Sequence, residues 1–174
     1  TILPKAREVA AMLRGAGYRV HLDDRDQFQP GYKYADWEMR GVPIRMELGP
    51  KDIEKDSCVL VRRDTREKEF VALAGLGDSV KARLDAIQKN LLEKARKFRE
   101  VNTSEPANYD VFKEVMATKR GFLLAGMCSS SECEAKIKEE TKATVRCFPL
   151  LRDEARACIR CGSAGKIAYF AQAY

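Results

Sequence analysis

Two pairs of cysteines near one end constrain this chain more than any other feature. Cys128-x-x-x-x-Cys133 and Cys158-x-x-Cys161 are separated by 24 intervening residues. Two residues between thiolates let both point at one tetrahedral ion, and Gly162 directly after the second pair permits the tight turn this requires. Four thiolates would close the coordination sphere, so a metal here would be structural and not catalytic. A redox Cys-x-x-Cys and an iron–sulfur centre are the competing readings. The redox reading is the weaker, because Cys158-x-x-Cys161 leads into a glycine and a loop and not into a helix. The flanking residues are predicted to form a small α+β unit. GFLLAGMC is a buried strand ending at Cys128. Ser131 is a candidate helix cap, with Glu134 three residues on as in a capping box. A helix then runs to about Lys142, a strand covers 143–148, residues 149–157 are irregular, and a last strand covers 167–170. Cys147 falls inside a predicted strand and is expected to be a core thiol, not a fifth ligand. Cys58, in an apolar run, is expected in a core as well.

The remaining chain is long enough for one or two domains, at 174 residues. With 45% apolar and 33% charged residues it has the composition of a soluble globular protein and not of a disordered one. No stretch approaches the roughly 20 apolar residues of a membrane span. Residues 1–17 read as an amphipathic helix and not as a signal peptide, and a cytoplasmic location is expected. Net charge is +6. It lies mostly in the later part: residues 1–75 carry 14 Lys and Arg against 13 Asp and Glu, the rest 18 against 13. Such a modest excess is compatible with a polyanionic partner without identifying one.

Taken in order, residues 1–16 carry the stripe Ala6, Val9, Ala10 and Leu13 of a helix, with Pro4 at an early position. The Gly15-x-Gly17 that ends it is a weak phosphate-loop signal, since it follows a helix and lacks a third glycine. Tyr18 to Leu22 alternate as a strand, and His21 is expected on its surface. Ser57–Arg63 and Glu69–Leu73 are predicted strands around an Asp64-Thr65 turn; Arg62 and Arg63 there are open to RNA or to solvent. Gly75-Leu76-Gly77 marks a boundary, giving expected domains of 1–75 and 76–174. A long helix is predicted over about Ser79 to Glu100, with Val80, Leu84, Ile87, Leu91, Ala95 and Phe98 on one side. Its other side carries Lys81, Arg83, Lys89, Lys94, Arg96, Lys97 and Arg99, a face that could meet RNA phosphates or simply water. A loop over 101–108 and a short helix over Tyr109 to Thr118 follow.

The stretch Gly31–Asp52, GYKYADWEMRGVPIRMELGPKD, reads as a short helix (32–39), a stop at Gly41 and Pro43, and a strand from Ile44 that ends at Gly49-Pro50. Ile44, Met46 and Leu48 share one face of that strand, Arg45 and Glu47 the other. Lys51 and Asp52 are placed on the exit turn. Tyr34, Glu38, Arg45, Lys51 and Asp52 supply a ring, two carboxylates and two cations in one segment. A carboxylate accepts the paired N1–H and amino group of guanine, a guanidinium donates to its O6 and N7, and an unstacked base lies on an aromatic ring. On spacing alone, a surface helix and a half-exposed strand with ordinary charged faces are the better explanation, since charged residues cover any surface.

Asp23-Asp24-Arg25-Asp26, Pro30-Gly31-Tyr32-Lys33-Tyr34, Trp37-Glu38, Gly41-Val42-Pro43-Ile44-Arg45 and Glu47-Leu48-Gly49-Pro50-Lys51-Asp52 together resemble the anticodon-binding domain of class II aminoacyl-tRNA synthetases. More narrowly, they are similar to prolyl-tRNA synthetases of the archaeal and eukaryotic type. The later block resembles the extra C-terminal zinc domain of the same family: Glu139-Glu140-Thr141-x-Ala143-Thr144-x-Arg146-Cys147-x-Pro149, the Cys158-x-x-Cys161-Gly162 knuckle, and Tyr169-Phe170-Ala171-x-Ala173-Tyr174. The resemblance implies an α/β fold, a mixed sheet flanked by helices and lacking its first strand here, followed by the long helix and the zinc domain. It implies that Tyr34 stacks on, and Glu38, Arg45, Lys51 and Asp52 contact, the two guanines shared by proline anticodons. It implies a structural Zn²⁺ on Cys128, Cys133, Cys158 and Cys161, and a Tyr174 carboxylate that approaches the catalytic centre of the whole enzyme. The implied partners are tRNA-Pro, with proline, ATP and Mg²⁺ used by a catalytic domain not among these residues, in a homodimer. Two other classes stay open: a stand-alone RNA-binding module, and a zinc-stabilised scaffold or thiol protein without RNA.

Overall fold

Val9, Ala10 and Leu13 recur at helical spacing, and in the computed structural model, which describes residues 2–173, they form the buried stripe of helix α1 (Ile2–Gly15). The chain divides into two compact units, Thr1–Lys94 and Ala95–Tyr174. In the first, α1 is followed by α2 (Pro30–Met39), β1 (Ile44–Glu47), α3 (Pro50–Glu54), β2 (Ser57–Arg62), β3 (Lys68–Ala72) and the start of α4 (Leu76–Val101). The sheet has the order β1-β2-β3 and is antiparallel throughout, with Arg45 opposite Val61 and Val59 opposite Phe70. Leu60 and Cys58 of the central strand meet Val9 and Leu13 of α1 and Leu76 and Val80 of α4. A buried Leu or Val contributes about 1.5–3 kcal/mol. Leu76 and Val80 therefore tie the first turns of α4 to this core, and the division of the chain falls inside α4, well beyond residue 75. The helix begins at Leu76, earlier than the glycines suggested.

Two local expectations need correction here. Residues 18–22 form no strand. Tyr18 and Val20 do pack on the core, but alternation reports which side chains are buried, not whether a neighbouring backbone is in hydrogen-bonding reach. Side chains hold the segment instead: Tyr18 Oη donates to Gly77 O at 2.9 Å and Arg14 Nε to Val20 O at 3.0 Å. Exposed His21 lies against Trp37, with ring centroids 4.2 Å apart. Lys51 and Asp52 are not on a turn but in the short helix α3.

The second unit places β4 (Thr103–Ser104), α5 (Tyr109–Ala117), β5 (Phe122–Met127), α6 (Ser131–Thr141), β6 (Ala143–Cys147) and β7 (Lys166–Gln172) in chain order. Its sheet runs β4-β5-β7-β6, with β4 and β5 parallel and the other pairs antiparallel. Phe112, Met116, Leu123, Ile137 and Phe170 fill its core. The cap of α6 is Ser130, which accepts from Cys133 N, not Ser131. The expectation for Cys147 is also overturned: it is exposed. Strict alternation from Ala143 and Val145 would turn Cys147 inward, but a register shift between Val145 and Cys147 breaks the alternation. Tyr174 lies outside the described residues. No helix among those residues is long and apolar enough to cross a membrane.

Candidate nucleic-acid interface and thiol centre

The Asp23-Asp24-Arg25-Asp26 run sets α2 in place. Arg25 grips Asp23 through two hydrogen bonds of 2.8 and 2.7 Å and reaches Asp36 at 3.0 Å, while Trp37 Nε1 donates to Asp23 at 2.8 Å. The Arg25 guanidinium holds the Asp23 carboxyl far below its ordinary range. With α2 fixed, Tyr34 and Glu38, one turn apart, face β1. The Arg45 guanidinium lies over the Tyr34 ring, 3.9 Å from its centroid, and donates to Glu38 at 2.8 Å and Glu47 at 2.9 Å. Arg66, from the β2–β3 turn, also donates to Glu38. That bond, more than any other contact, keeps Glu38 ionised below its usual pKa. Burial, reinforced by Glu47, raises the Tyr34 phenol above its ordinary value.

Of the five predicted reading residues, Tyr34, Glu38 and Arg45 thus converge directly. Lys51 and Asp52 stand on α3, just past the end of β1. Asp52 Oδ2 accepts the Gly49 N–H at 2.8 Å, closing the start of that helix. Lys51 is exposed. Two members of the cluster were missed. Glu47 was legible from its shared face with Arg45; Arg66 was not, because only the hairpin brings it to Glu38. On α4, the basic face is partly occupied internally: Lys81 pairs with Asp85, Lys89 with Glu93, Arg83 with Glu69, and Lys94 donates to Asp64 O.

In the second unit the four predicted thiols meet. The sulfurs of Cys128, Cys133, Cys158 and Cys161 all lie within 4.8 Å of one another, and Cys128 Sγ is 3.7 Å from Cys161 Sγ. Four bonds of about 2.3 Å to a tetrahedral ion place sulfurs roughly 3.8 Å apart, so the donor set fits such an ion. All six cysteines are free of disulfides. Two glycines make the convergence possible. Gly162, at φ 73°, lets its N–H return to Cys158 O at 2.9 Å. Gly126 in β5 accepts from Ile159 N at 2.9 Å, and a Cβ there would stand 2.0 Å from Ala157 O. The knuckle can therefore lie directly on the strand that delivers Cys128.

The thiols differ in acidity. Hydrogen bonds from Ser163 pull Cys161 down to about 6. Sharing a hydrogen bond with Cys161, together with burial, pushes Cys133 up to about 12. Burial opposes ionisation of Cys158, but backbone N–H donors outweigh it and lower that thiol too, while Cys128 is raised; ionising all four together calls for a cation. Arg160 adds positive charge: its Nη1 is 4.0 Å from Cys133 Sγ and its Nε 3.7 Å from Glu140.

An α/β unit that presents a ring, a carboxylate and a guanidinium from adjoining elements has the form of a nucleic-acid-reading module, joined in sequence to a tetrathiol domain. Comparison with known proteins places both parts. Residues 1–83 match the family model described as "Anticodon binding domain", and residues 109–174 match "Prolyl-tRNA synthetase, C-terminal". A proline–tRNA ligase of Lachnospira eligens is 46% identical over 175 residues, covering 99% of this chain and 36% of the relative. One from Rubrobacter xylanophilus is 46% identical over 171 residues, covering 97% and 36%. The crystal structure of prolyl-tRNA synthetase from Cryptosporidium parvum, complexed with L-proline and AMP, superposes with a TM-score of 0.90 at 32% identity, covering 98% of this chain and 37% of that one. The chain belongs to the prolyl-tRNA synthetase family and corresponds to its anticodon-binding and C-terminal portion. It spans about a third of the length of these relatives.

Proposed function

We propose that this chain reads the two guanines of proline anticodons for a cytoplasmic proline–tRNA ligase, and that its second unit is a structural zinc domain. The observation that carries the reading is Arg45. It rests on Tyr34 and bonds to Glu38, so a stacking ring, a guanidinium for O6 and N7 and a carboxylate for N1–H and the amino group are assembled before any base arrives. In the free protein these groups satisfy one another, and a guanine would exchange for those contacts. Lys51 and Asp52 complete the set from α3. The whole enzyme would join proline to tRNA-Pro with ATP and Mg²⁺, as a homodimer. The residues described here are assigned no step of that chemistry. Zinc on Cys128, Cys133, Cys158 and Cys161 would cross-link β5, α6 and the knuckle and supply folding free energy only.

The test is a binding titration against two proline tRNA transcripts, one with its native anticodon and one with both guanines replaced, at two salt concentrations. Discrimination between them is expected, and Arg45→Ala should cost about 1–3 kcal/mol on the native transcript alone. Equal binding of both with a steep salt slope would mean phosphate contacts only and would overturn the reading.

A further inference from the structure

On the far side of Glu38, which also lines it, the first unit holds a second recess. It has a volume of about 450 Å³, bounded by Met39 at the end of α2, Arg63 and Arg66 on the β2–β3 turn, and Leu91 of α4. That volume is within the roughly 300–1,000 Å³ usual for small-ligand sites. Met39 is 89% exposed and Leu91 44% exposed, an apolar pair left open to water. The turn opposite is rigid. The Asp64 side chain, 2% exposed, accepts two hydrogen bonds from Arg62, at 3.0 and 2.7 Å, and one from Asn90 of α4. Arg66, at φ 66°, donates its backbone N–H to Arg62 O at 2.9 Å. Arg63 is exposed, and its guanidinium has no hydrogen-bond or ion-pair partner among the described residues. The acids nearby are already committed: Asp64 to Arg62, and Glu38 to Arg45 and Arg66.

An open apolar floor beside the unpaired Arg63 guanidinium, with Arg66 next to it paired to Glu38, suits a flat base with a phosphate attached. We infer that this recess takes one single-stranded nucleotide adjoining the guanines, its base on Met39 and Leu91 and its phosphate on Arg63 and Arg66. The inference rests on the anticodon-reading proposal, because Glu38 borders both sites and sets the direction in which the RNA continues. A thioether is well suited to the face of a base, and the two guanidiniums complement a phosphodiester.

The experiment uses the 174-residue chain and anticodon stem–loop RNAs of proline tRNA. One RNA is intact; two others carry a single abasic position on either side of the guanines. Met39→Ala should weaken binding of the intact RNA about 3- to 10-fold. It should have no effect on one of the two abasic RNAs. Arg63→Ala should weaken all RNAs and lower the magnitude of the log K against log salt slope by about 1. Neither change should alter the ratio between native and guanine-replaced anticodons. If both variants bind every RNA as the parent does while Arg45→Ala abolishes guanine discrimination, the recess belongs to some other partner, such as a protein, and the inference is overturned with the anticodon reading intact. If Arg45→Ala also changes nothing, both fall.

Discussion

Asp52 shows how one side chain can serve the fold and the site at once. Its carboxylate accepts the Gly49 N–H at 2.8 Å and so starts α3, yet it is also one of the residues expected to contact guanine. Two substitutions separate these roles. Asp52→Ala removes the acceptor and should cost about 1 kcal/mol of stability, the usual value of a helix-terminal bond. Asp52→Asn keeps an acceptor oxygen and should leave stability within about 0.5 kcal/mol of the parent. Both should lose discrimination against guanine-replaced RNA, since an amide cannot accept both guanine donors. Denaturant midpoints and the two-transcript titration check this; Asp52→Asn with full discrimination would leave Asp52 a helix cap alone. At this scale the sequence was informative where chemistry is local. Tyr34, Glu38 and Arg45 sit on one helix and the next strand, close enough in sequence for the family motif to mark all three, which their spacing alone did not. Arg66 approaches Glu38 from 28 residues away, and nothing in the segment around it announces that.

The β2–β3 hairpin and α4 form the element pair on which the recess depends. Asp64 joins them: Arg62 and Asn90 donate to its carboxylate, and Lys94 to its backbone oxygen. The Arg62 guanidinium draws the Asp64 carboxyl down from 3.8 to about 2. A depressed carboxylate stabilises the fold above its unfolded pKa and loses that contribution as pH falls through the folded value. The contribution here is about 2 kcal/mol, present at neutral pH and lost between about pH 4 and pH 2. The stability difference between the parent and Asp64→Asn, followed by Trp37 fluorescence in denaturant, should therefore shrink across that window; a difference independent of pH would refute it. Elements were read from the sequence less evenly than residues. Long periodic stretches such as α1 and α4 were plain, because burial imposes the repeat. Residues 18–22 show the opposite case, where the alternation is real but a ladder needs a partner strand. Cys147 shows another: one bulge reverses the face on which a thiol emerges. Gly126 was invisible as a packing residue, since only the folded knuckle brings Ala157 O against it.

For the whole molecule, two separate cores predict different responses to removal of metal. The first unit is closed by Val9, Leu13, Leu60, Leu76 and Val80 and contains no thiol beyond buried Cys58. The second has a core in which Cys128, Cys133 and Cys158 are themselves members. A structural zinc in a four-thiolate site is worth about 10–16 kcal/mol at pH 7 in small peptides, comparable to the entire stability of a domain, about 5–15 kcal/mol. Burial of Phe112, Phe170 and Leu123 offsets part of that dependence, but without an ion nothing cross-links the four clustered sulfurs. Chelation is therefore expected to abolish the cooperative unfolding of the second unit and to speed amide exchange in β5 and β7. Trp37, the single tryptophan, lies in the first unit and reports on it alone. Its denaturant midpoint should hold within experimental error after chelation, and the guanine-discriminating titration should survive with it. Cys133→Ser should reproduce the chelated state, while Cys147→Ser should match the parent, because Cys147 stands exposed and outside the cluster. If one equivalent of zinc does not co-purify, or if chelation leaves exchange in β5 and β7 unchanged, the four thiols are not holding the second unit together through a metal.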